Sequence, residues 1–545
     1  MLKLKQVHFS FSAGEEIFSV STCRSVSTDI ADLEIHSVGD VFSADIRCKS
    51  PIRIKKLTAV FEHEFSAIDK IFLNGYQSWT DSTEHSVTDR MYGLERAPEA
   101  AVKKYALNRY GDYDFTSYGP EGQLHGWSYG YIRTGEFFCF IGSLSEDTGF
   151  TKITAETDGN VIIVTKDCEG LELPEDYRGI DLLITEGTEK EVFDRYFDTL
   201  GIRLRKEAVP ISGYTSWYRH YQNINADTLI TDLAGLTSQK HRSDVFQIDD
   251  GYQTAVGDWL SVDSSKFPDG MKSIAGNIAS AGLIPGLWLA PMVCEEKSLL
   301  FNEHPEWLVK DEKGDPVKGG SNWSGFYALD IYNNEFRDHI RSIFHTVTEE
   351  WGFRLLKLDF LYAACIQPRP DRTRGQIMSD TMSFLRECAG DALILGCGVP
   401  LASAFGKVDY CRIGCDVSLD WNDKPHMRLL HRERVSTRNS ILNSVFRRQL
   451  SGRAFLNDPD VFILRSDNTS LTAKQKKCLA EVNAMTGDVL FTSDNAAEYS
   501  DEQKKLIHGI MKLRSAEVIS AEADDKFLRI RFSLGEKVYN AQYRI

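Results

Sequence analysis

The segment RLLKLDFLYAAC, residues Arg354–Cys365, predicts a buried strand that ends in a lysine and a carboxylate. Side chains alternate along a strand, so Lys357 and Asp359 should share one face. The other face, with Leu358 and Phe360, is apolar and should pack against a helix. A strand that becomes polar at its C-terminal end is typical of a parallel barrel strand that opens into a reaction pocket. Taken alone, the K-x-D spacing also fits a structural ion pair.

The surrounding sequence repeats this strand and helix alternation over residues 206–515, which predicts a central (β/α)8 TIM barrel. The predicted strands end at Ser216, Asp250, Pro291, Phe360, Cys397, Gly414, Asp458 and Phe491. The predicted helices include Phe336–Trp351, Ser379–Ala389, Ser440–Leu450 and Lys474–Met485. The gap after the fifth strand is too short for a full helix, so we expect that unit to be degenerate.

The longest gap follows the third strand and is rich in aromatic residues. We expect these residues to form a wall of the reaction pocket: Trp307, Trp323, Phe326 and Tyr327.

The sequences on either side of the barrel have the short alternating runs of antiparallel sheets. Residues 1–205 predict an N-terminal β-sandwich, and residues 516–545 a small C-terminal β-domain. The fold class is therefore multidomain, α/β plus β. Within the sandwich, NGYQSW at Asn74–Trp79 follows a glycine turn, so Trp79 could be a core residue or a binding residue.

Composition narrows the classes of partner. The chain has 545 residues, a net charge of −16, and 26% charged and 42% hydrophobic residues. The negative charge disfavours nucleic acid and anionic membranes as partners, and no apolar run approaches the roughly 18 residues of a membrane span. The N-terminus alternates like a strand and lacks the apolar core of a signal peptide. The 11 cysteines show no C-x-x-C spacing, which favours a reducing cytoplasm.

Polar and aromatic residues gather at the predicted C-terminal ends of the barrel strands. They are Asp249, Asp250, Trp288, Lys357, Asp359, Cys397, Arg412 and Asp416. No histidine pair with metal-ligand spacing and no phosphate-binding glycine motif accompanies them, so we expect no metal and no cofactor. Paired carboxylates beside aromatic side chains favour glycoside hydrolysis. We expect Lys357 to keep Asp359 ionised, while Asp416 holds and releases a proton.

Several motifs carry a specific resemblance. From Gly213 to Asp458 the chain reads GYTSWY, FQIDDGYQ, KFPDG, GLWLAP, HPEW, LKLDF, GCGVPL, CRIGCD and LNDPD, and NGYQSW extends the match. In this order they resemble glycoside hydrolase family 36, the α-galactosidase family. The KLDFL segment is similar to its compact bacterial members, since long members have K-W-D-M-N there.

The resemblance implies a role for each matching position. Asp359 corresponds to the nucleophile and Asp416 to the acid/base. Asp249 and Asp250 correspond to residues that bind the galactose hydroxyls at C4 and C6. Other sugar contacts fall on Lys357, Arg412, Cys397, Trp288 and Trp79.

The predicted function is that of a retaining exo-α-galactosidase, which removes terminal α-linked galactose from oligosaccharides by double displacement. The alternatives are an α-N-acetylgalactosaminidase or an α-galactosyl transglycosylase on the same scaffold. A non-catalytic sugar-binding protein is a more distant alternative, because it predicts the loss of a catalytic carboxylate. The predicted partner is an oligosaccharide or glycoside, and a homo-oligomer is left open.

Overall fold

The computed structural model describes residues 2–422 and 432–545. The strand Leu355–Leu358 is the fourth of a parallel barrel, as predicted, and all four of its residues are buried. In chain order the barrel strands are Ile211–Thr215, Val245–Ile248, Ile284–Leu289, Leu355–Leu358, Leu393–Gly396, Tyr410–Arg412, Leu456–Asp458 continued by Val461–Phe462, and Val489–Thr492.

The seventh barrel strand is divided into two pieces. Its first piece pairs with the sixth strand and its second piece pairs with the eighth. The eighth strand pairs with the first, so the sheet closes. Pro459 and Asp460 lie at the break, where Pro459 offers no backbone N–H for a ladder. Asp460 has a positive φ of 75°. The break turns two carboxylates, Asp458 and Asp460, toward the barrel interior.

Helices surround the barrel, and four of them overlap the four predicted from apolar periodicity. The helices are Trp217–His220, Ala226–Thr237, Gly270–Ser280, Leu299–Glu303, Asn334–His345, Arg374–Ala389, Leu401–Ala404, Thr437–Phe446, Ala473–Thr486 and Asp501–Leu513. Thr373 and Thr472 begin two of them with capping boxes, whose threonine and glutamine side chains satisfy backbone N–H groups. The unit after the fifth strand has one helical turn, as expected. No helix in the described residues is long and apolar enough to cross a membrane.

Two antiparallel sheets form the N-terminal sandwich. In spatial order the first contains Glu16–Thr22, Lys3–Ala13, Ile52–Glu62, Val161–Lys166, Thr151–Glu156 and Gln123–Trp127, with Glu172–Leu173 on the edge of Ile52–Glu62. The second contains Val26–Ser27, Ala31–Val38, Val41–Cys48, Tyr177–Gly187, Phe137–Ser143, Tyr129–Thr134, Lys70–Leu73 and Glu84–Ser86. Helix Glu99–Tyr105 follows the last of these strands, and helix Glu189–Leu200 leads into the barrel.

Two smaller sheets complete the described chain. The insertion after the third barrel strand contains Val293–Glu295, Phe326–Ala328 and Lys318–Gly320. The C-terminal sheet contains Glu517–Ala523, Phe527–Leu534 and Lys537–Arg544.

The NGYQSW loop of the sandwich is fixed to the barrel by a buried arginine. Arg447 follows helix Thr437–Phe446 and is fully buried. Its guanidinium donates to Asn74 Oδ1 at 2.9 Å and to the carbonyl oxygens of Gln77 and Ser78 at 3.2 and 2.7 Å. These amide and carbonyl oxygens satisfy the donors of the buried guanidinium without a carboxylate. The contact is specific to the folded loop, because only the folded loop brings the acceptors together.

The same loop meets the end of the fifth barrel strand. Ser78 N–H donates to the Val399 carbonyl at 2.9 Å. Gly398 has φ of 57°, and a Cβ there would come within 2.9 Å of the Trp79 ring. Glycine is needed here both for the left-handed backbone and for the close approach of the indole. The loop therefore brings Trp79 to the C-terminal face of the barrel.

Candidate active site

A cavity of about 610 Å³ opens at the C-terminal ends of the barrel strands. Seven of the nine predicted site residues line it: Trp79, Asp249, Asp250, Trp288, Lys357, Asp359 and Asp416. They come from the sandwich and from four different parts of the barrel sequence, and the parallel strands bring them together. Arg412 and Cys397 lie behind the lining, in contact with residues that form it.

Asp359 lies at the base of the cavity, where it is 7% exposed. Its Oδ2 accepts from the Trp288 indole N–H at 3.0 Å, and its Oδ1 accepts from the backbone N–H of Phe360 at 2.9 Å. Burial raises the pKa of Asp359, and the nearby Lys357 charge opposes that rise. The carboxylate is thus oriented by two donors and shielded from water.

The predicted pairing of Lys357 with Asp359 is corrected by the structure. Lys357 Nζ donates to Asp249 Oδ2 at 2.9 Å, on the second barrel strand. Burial favours the neutral amine, but the carboxylates of Asp249 and Asp359 raise the pKa of Lys357. Lys357 is therefore a cation shared between two carboxylates, with its hydrogen bond directed to Asp249. The charge of Lys357 lowers the pKa of Asp359, but burial raises that pKa by more, so the net shift is upward.

Asp250 is held by three donors. Its Oδ2 accepts from Gln222 Nε2 at 2.7 Å and from the Trp323 indole at 2.8 Å, and its Oδ1 accepts from Gln253 Nε2 at 2.6 Å. Burial raises its pKa, and these hydrogen bonds counter the effect. The carboxyl group is fixed in one orientation toward the cavity.

Asp416 differs from the other cavity acids in exposure. Its side chain is 39% exposed, and its Oδ1 accepts from Arg412 Nη1 at 2.7 Å. Arg412 is buried, and its two other nitrogens donate to Asp458 at 3.2 Å and to Asp460 at 2.9 Å. One guanidinium therefore serves three carboxylates, and a direct contact from Arg412 to a substrate stays a prediction.

Asp460 was not identified from the sequence. It accepts from the Val417 N–H at 2.8 Å and from the Tyr218 hydroxyl, in addition to Arg412. Burial raises the pKa of Asp460 to about 7, and the nearby Asp416 carboxylate adds to the rise. The L-N-D-P-D motif contains this residue, but its spacing alone does not indicate a contact with Arg412.

Cys397 lies between the sandwich loop and the nucleophile candidate. The Trp79 indole N–H donates to its sulfur at 3.3 Å. A hydrogen bond from the Cys397 thiol also reaches Asp359 and lowers the pKa of that carboxyl. Burial raises the pKa of Cys397 itself, so the thiol is a neutral donor. The predicted sugar contact of Cys397 is untested, while its contact with Asp359 is present.

Phe360 departs from the predicted alternation. It should face a helix, but its φ of 53° turns it into the cavity lining. Its ring packs against Trp79 at 5.0 Å and Trp323 at 4.9 Å between centroids. A non-glycine residue in this region of backbone space is strained, which is common beside reactive groups.

The predicted aromatic wall is correct for one of its four members. Trp323 lines the cavity, with a strained backbone at φ of 53°. Trp307 is instead a core residue against Phe336, and Phe326 packs behind Phe360. Tyr327 packs against Phe301, with the two rings tilted by 41°. Aromatic content alone does not distinguish a pocket wall from a core.

Glu433 is another cavity residue that the sequence did not reveal. It is 5% exposed and accepts from Thr80 Oγ1 at 2.7 Å and from the Tyr113 hydroxyl at 2.5 Å. Burial raises the pKa of Glu433 to about 7. It connects the sandwich to the segment that precedes helix Thr437–Phe446. In residues 2–422 and 432–545, no group of three or more His, Cys, Asp or Glu is placed to hold a metal ion.

Comparison with known proteins supports the family that the sequence motifs resemble. The family model described as Melibiase matches residues 196–374. The solved structure of TtGalA, an α-galactosidase from Thermus thermophilus, aligns at a TM-score of 0.74 with 25% identity, over 95% of this chain and 98% of that one. The chain is similar to glycoside hydrolase family 36. TtGalA was solved with p-nitrophenyl α-D-galactopyranoside, and in a second structure with stachyose.

Two curated proteins match this chain over shorter segments. Mel36A, an α-galactosidase of Lactobacillus acidophilus, is 30% identical over 132 residues. A galactosaminidase of Flavonifractor plautii that acts on A type blood α-D-galactosamine is 26% identical over 158 residues. The matched segments cover 23% and 27% of this chain, and 17% and 14% of those proteins. The similarity to family 36 therefore rests most on the structural match, which spans 95% of this chain.

Proposed function

We propose that this protein is a retaining exo-α-galactosidase that removes terminal α-linked galactose by double displacement. The observation that carries the proposal is the difference between two carboxyl groups in one cavity. Asp359 is buried and oriented by two N–H donors, whereas Asp416 has a side chain that is 39% exposed. Glycoside hydrolysis with retention needs one oriented nucleophile and one acid beside the leaving group.

In the first step, an oxygen of Asp359 attacks the anomeric carbon, and the bond to the glycosidic oxygen breaks. Asp416 gives its proton to that oxygen, and the leaving group departs as an alcohol. In the second step, Asp416 accepts a proton from water as the water attacks the anomeric carbon, and the Asp359 ester bond breaks. Galactose is released with its original configuration.

Asp249 and Asp250 support the choice of sugar. Both carboxyl groups line the cavity and are fixed by protein donors, Lys357 for Asp249 and Gln222, Gln253 and Trp323 for Asp250. A site built to bond substrate hydroxyls rejects an epimer strongly, because buried acceptors then lack partners. We infer that this pair selects the axial C4 hydroxyl of galactose over the equatorial one of glucose.

The test is a panel of nitrophenyl α-glycosides followed by proton NMR of the first sugar formed. We expect the highest kcat/KM on the α-galactoside and α-galactose as the initial product. Equal rates on α-galactoside and α-glucoside would remove the sugar assignment. Initial β-galactose would mean inversion. The panel includes the α-N-acetylgalactosaminide, because one relative is a galactosaminidase.

A further inference from the structure

A groove of about 1120 Å³ runs between the first long helix of the barrel and the last one. Helix Ala226–Thr237 and the segment after it form one side, and helix Asp501–Leu513 forms the other. Residues of the first and eighth barrel strands lie at the bottom of the groove. Among the described residues, none lines both this groove and the active-site cavity. The groove is therefore a second concave site on the barrel.

The rim of this groove is basic. Lys240 and Arg242 come from one side, and Lys504 and Lys505 come from the other. All four residues are exposed, and in the described part of the chain their side chains make no ion pair and no hydrogen bond. Asp501 is the single acidic residue in the described lining. In a chain with a net charge of −16, the groove therefore has a local excess of positive charge.

Two histidines bring the sides of the groove together. His241 follows the first helix and His508 belongs to the last one, and their ring centroids are 5.6 Å apart. Burial lowers the pKa of His241, and the nearby His508 adds to the fall. A neutral imidazole still donates one hydrogen bond, so the pair offers donors to a ligand in addition to the four cations. Groups from both sides can thus reach the same ligand.

The floor of the groove is apolar. Leu236 and Phe462 are 5% and 6% exposed, and Ile507 and Met511 are half-buried on the last helix. Lys504, Ile507 and Met511 are three and four positions apart, so one face of that helix presents both a cation and apolar groups. A basic patch that only contacts water needs no apolar floor. The combination suits a ligand that has an apolar body and negative charges.

Size and charge narrow the class of ligand. Small-molecule sites have volumes of roughly 300–1000 Å³, so a groove of about 1120 Å³ can hold a molecule as large as a nucleotide. The negative charge of the whole chain repels a long polyanion, whereas a compact anion meets only the local positive charge. Lysine and arginine are suited to phosphate oxygens.

We propose that the groove binds a compact organic phosphate, with its ring on the apolar floor and its phosphates at the basic rim. This site goes beyond the proposed function and does not depend on it.

The experiment is calorimetric titration of ATP, adenosine and tripolyphosphate into the full chain at low salt. We expect saturable binding of ATP, and binding at least about tenfold weaker for adenosine, which lacks the charges, and for tripolyphosphate, which lacks the ring. The double variant Arg242→Glu with Lys504→Glu should weaken ATP binding about tenfold or more, because two attractions become repulsions. Circular dichroism checks that it is folded. The matched control, Lys526→Glu with Arg531→Glu, changes the net charge equally at exposed positions outside the groove and should bind ATP as wild type does.

A methionine in the groove reports where ATP binds. In protein with ¹³C-methyl methionine, ATP should shift the NMR signal of Met511, which Met511→Leu identifies by its loss. An unmoved Met511 signal despite binding would place ATP elsewhere and overturn the site. The absence of saturable ATP binding to wild type would also overturn it, as would equal affinities of the two double variants. Tripolyphosphate binding as tight as that of ATP would refute the role of the floor. None of these measurements requires turnover, so their outcome is independent of the proposed function.

Discussion

Asp460→Asn should raise kcat/KM above about pH 7, where the Asp460 carboxylate of the wild type is ionised. Arg412 donates to Asp416, Asp458 and Asp460, so its single positive charge is exceeded by the surrounding carboxylates. Ionised Asp460 opposes the negative charge that develops on Asp416 as it gives its proton to the leaving group.

The magnitude of the repulsion between Asp460 and Asp416 follows from the guanidinium that they share. Two carboxylates on different nitrogens of one guanidinium are roughly 6 Å apart, and at an effective dielectric constant of about 20 their repulsion is about 3 kcal/mol. The Asp416 side chain is 39% exposed. Screening by solvent therefore reduces the repulsion to about 1–1.5 kcal/mol, or about a tenfold effect on kcat/KM.

The sign depends on the protonation of Asp460. Burial raises the pKa of Asp460 to about 7, so the residue is mostly neutral below that pH and mostly ionised above it. Only the ionised form repels a second carboxylate. Asparagine is neutral at every pH, so the variant loses the repulsion above about pH 7 and should keep a higher kcat/KM there than the wild type. At lower pH the two proteins should behave alike.

The assay is kcat/KM against pH on methyl α-galactoside, whose poor leaving group requires a proton. Circular dichroism checks that the variant is folded, and Asp338→Asn on the surface serves as the control. The same kcat/KM as wild type above pH 7, or a lower one, in a folded Asp460→Asn variant would refute the charge argument.

Three further predictions concern other cavity residues. Asp359→Ala should lower kcat by several orders of magnitude, and added azide should partly restore turnover with a product of inverted configuration; near wild-type turnover would exclude Asp359 as nucleophile. Asp250→Asn should raise KM for α-galactosides about tenfold to a hundredfold and lower the Tm, because an amide N–H would face the donors that now bond the carboxylate; an unchanged KM would argue against sugar contact. For Glu433, burial raises the pKa to about 7 from 4.5, so the free energy of unfolding should fall by up to about 3 kcal/mol between these pH values. Glu433→Gln should remove that slope in denaturation curves, and a retained slope would assign it elsewhere.

Much of the barrel could be predicted because each of its strands has a recognisable local sequence pattern. Each strand is a short apolar run that ends in polar or small residues, and the predicted ends at Phe360, Cys397 and Asp458 are within two residues of the observed strands. Side chains at successive strand ends are close in any parallel barrel, so the part of the cavity lining that comes from the strand ends follows from topology.

The contacts of these side chains could not be predicted, because they join residues distant in the sequence. Lys357 bonds to Asp249, 108 positions earlier, rather than to its near neighbour on the same strand. Glu433 acquires its partners from the sandwich, 353 and 320 positions away. The turn of Phe360 into the cavity depends on a positive φ, which no alternation rule anticipates.

The cavity is formed by two parts of the chain that fold around separate sheets, and the contacts of Arg447 hold these parts together. Trp79 reaches the barrel only when the carbonyls of Gln77 and Ser78 are hydrogen-bonded to the buried guanidinium. Neither the sandwich nor the barrel contains a complete pocket before these bonds form. In refolding from denaturant, the return of turnover would therefore report the docking of the two parts, later than any signal from the secondary structure of either.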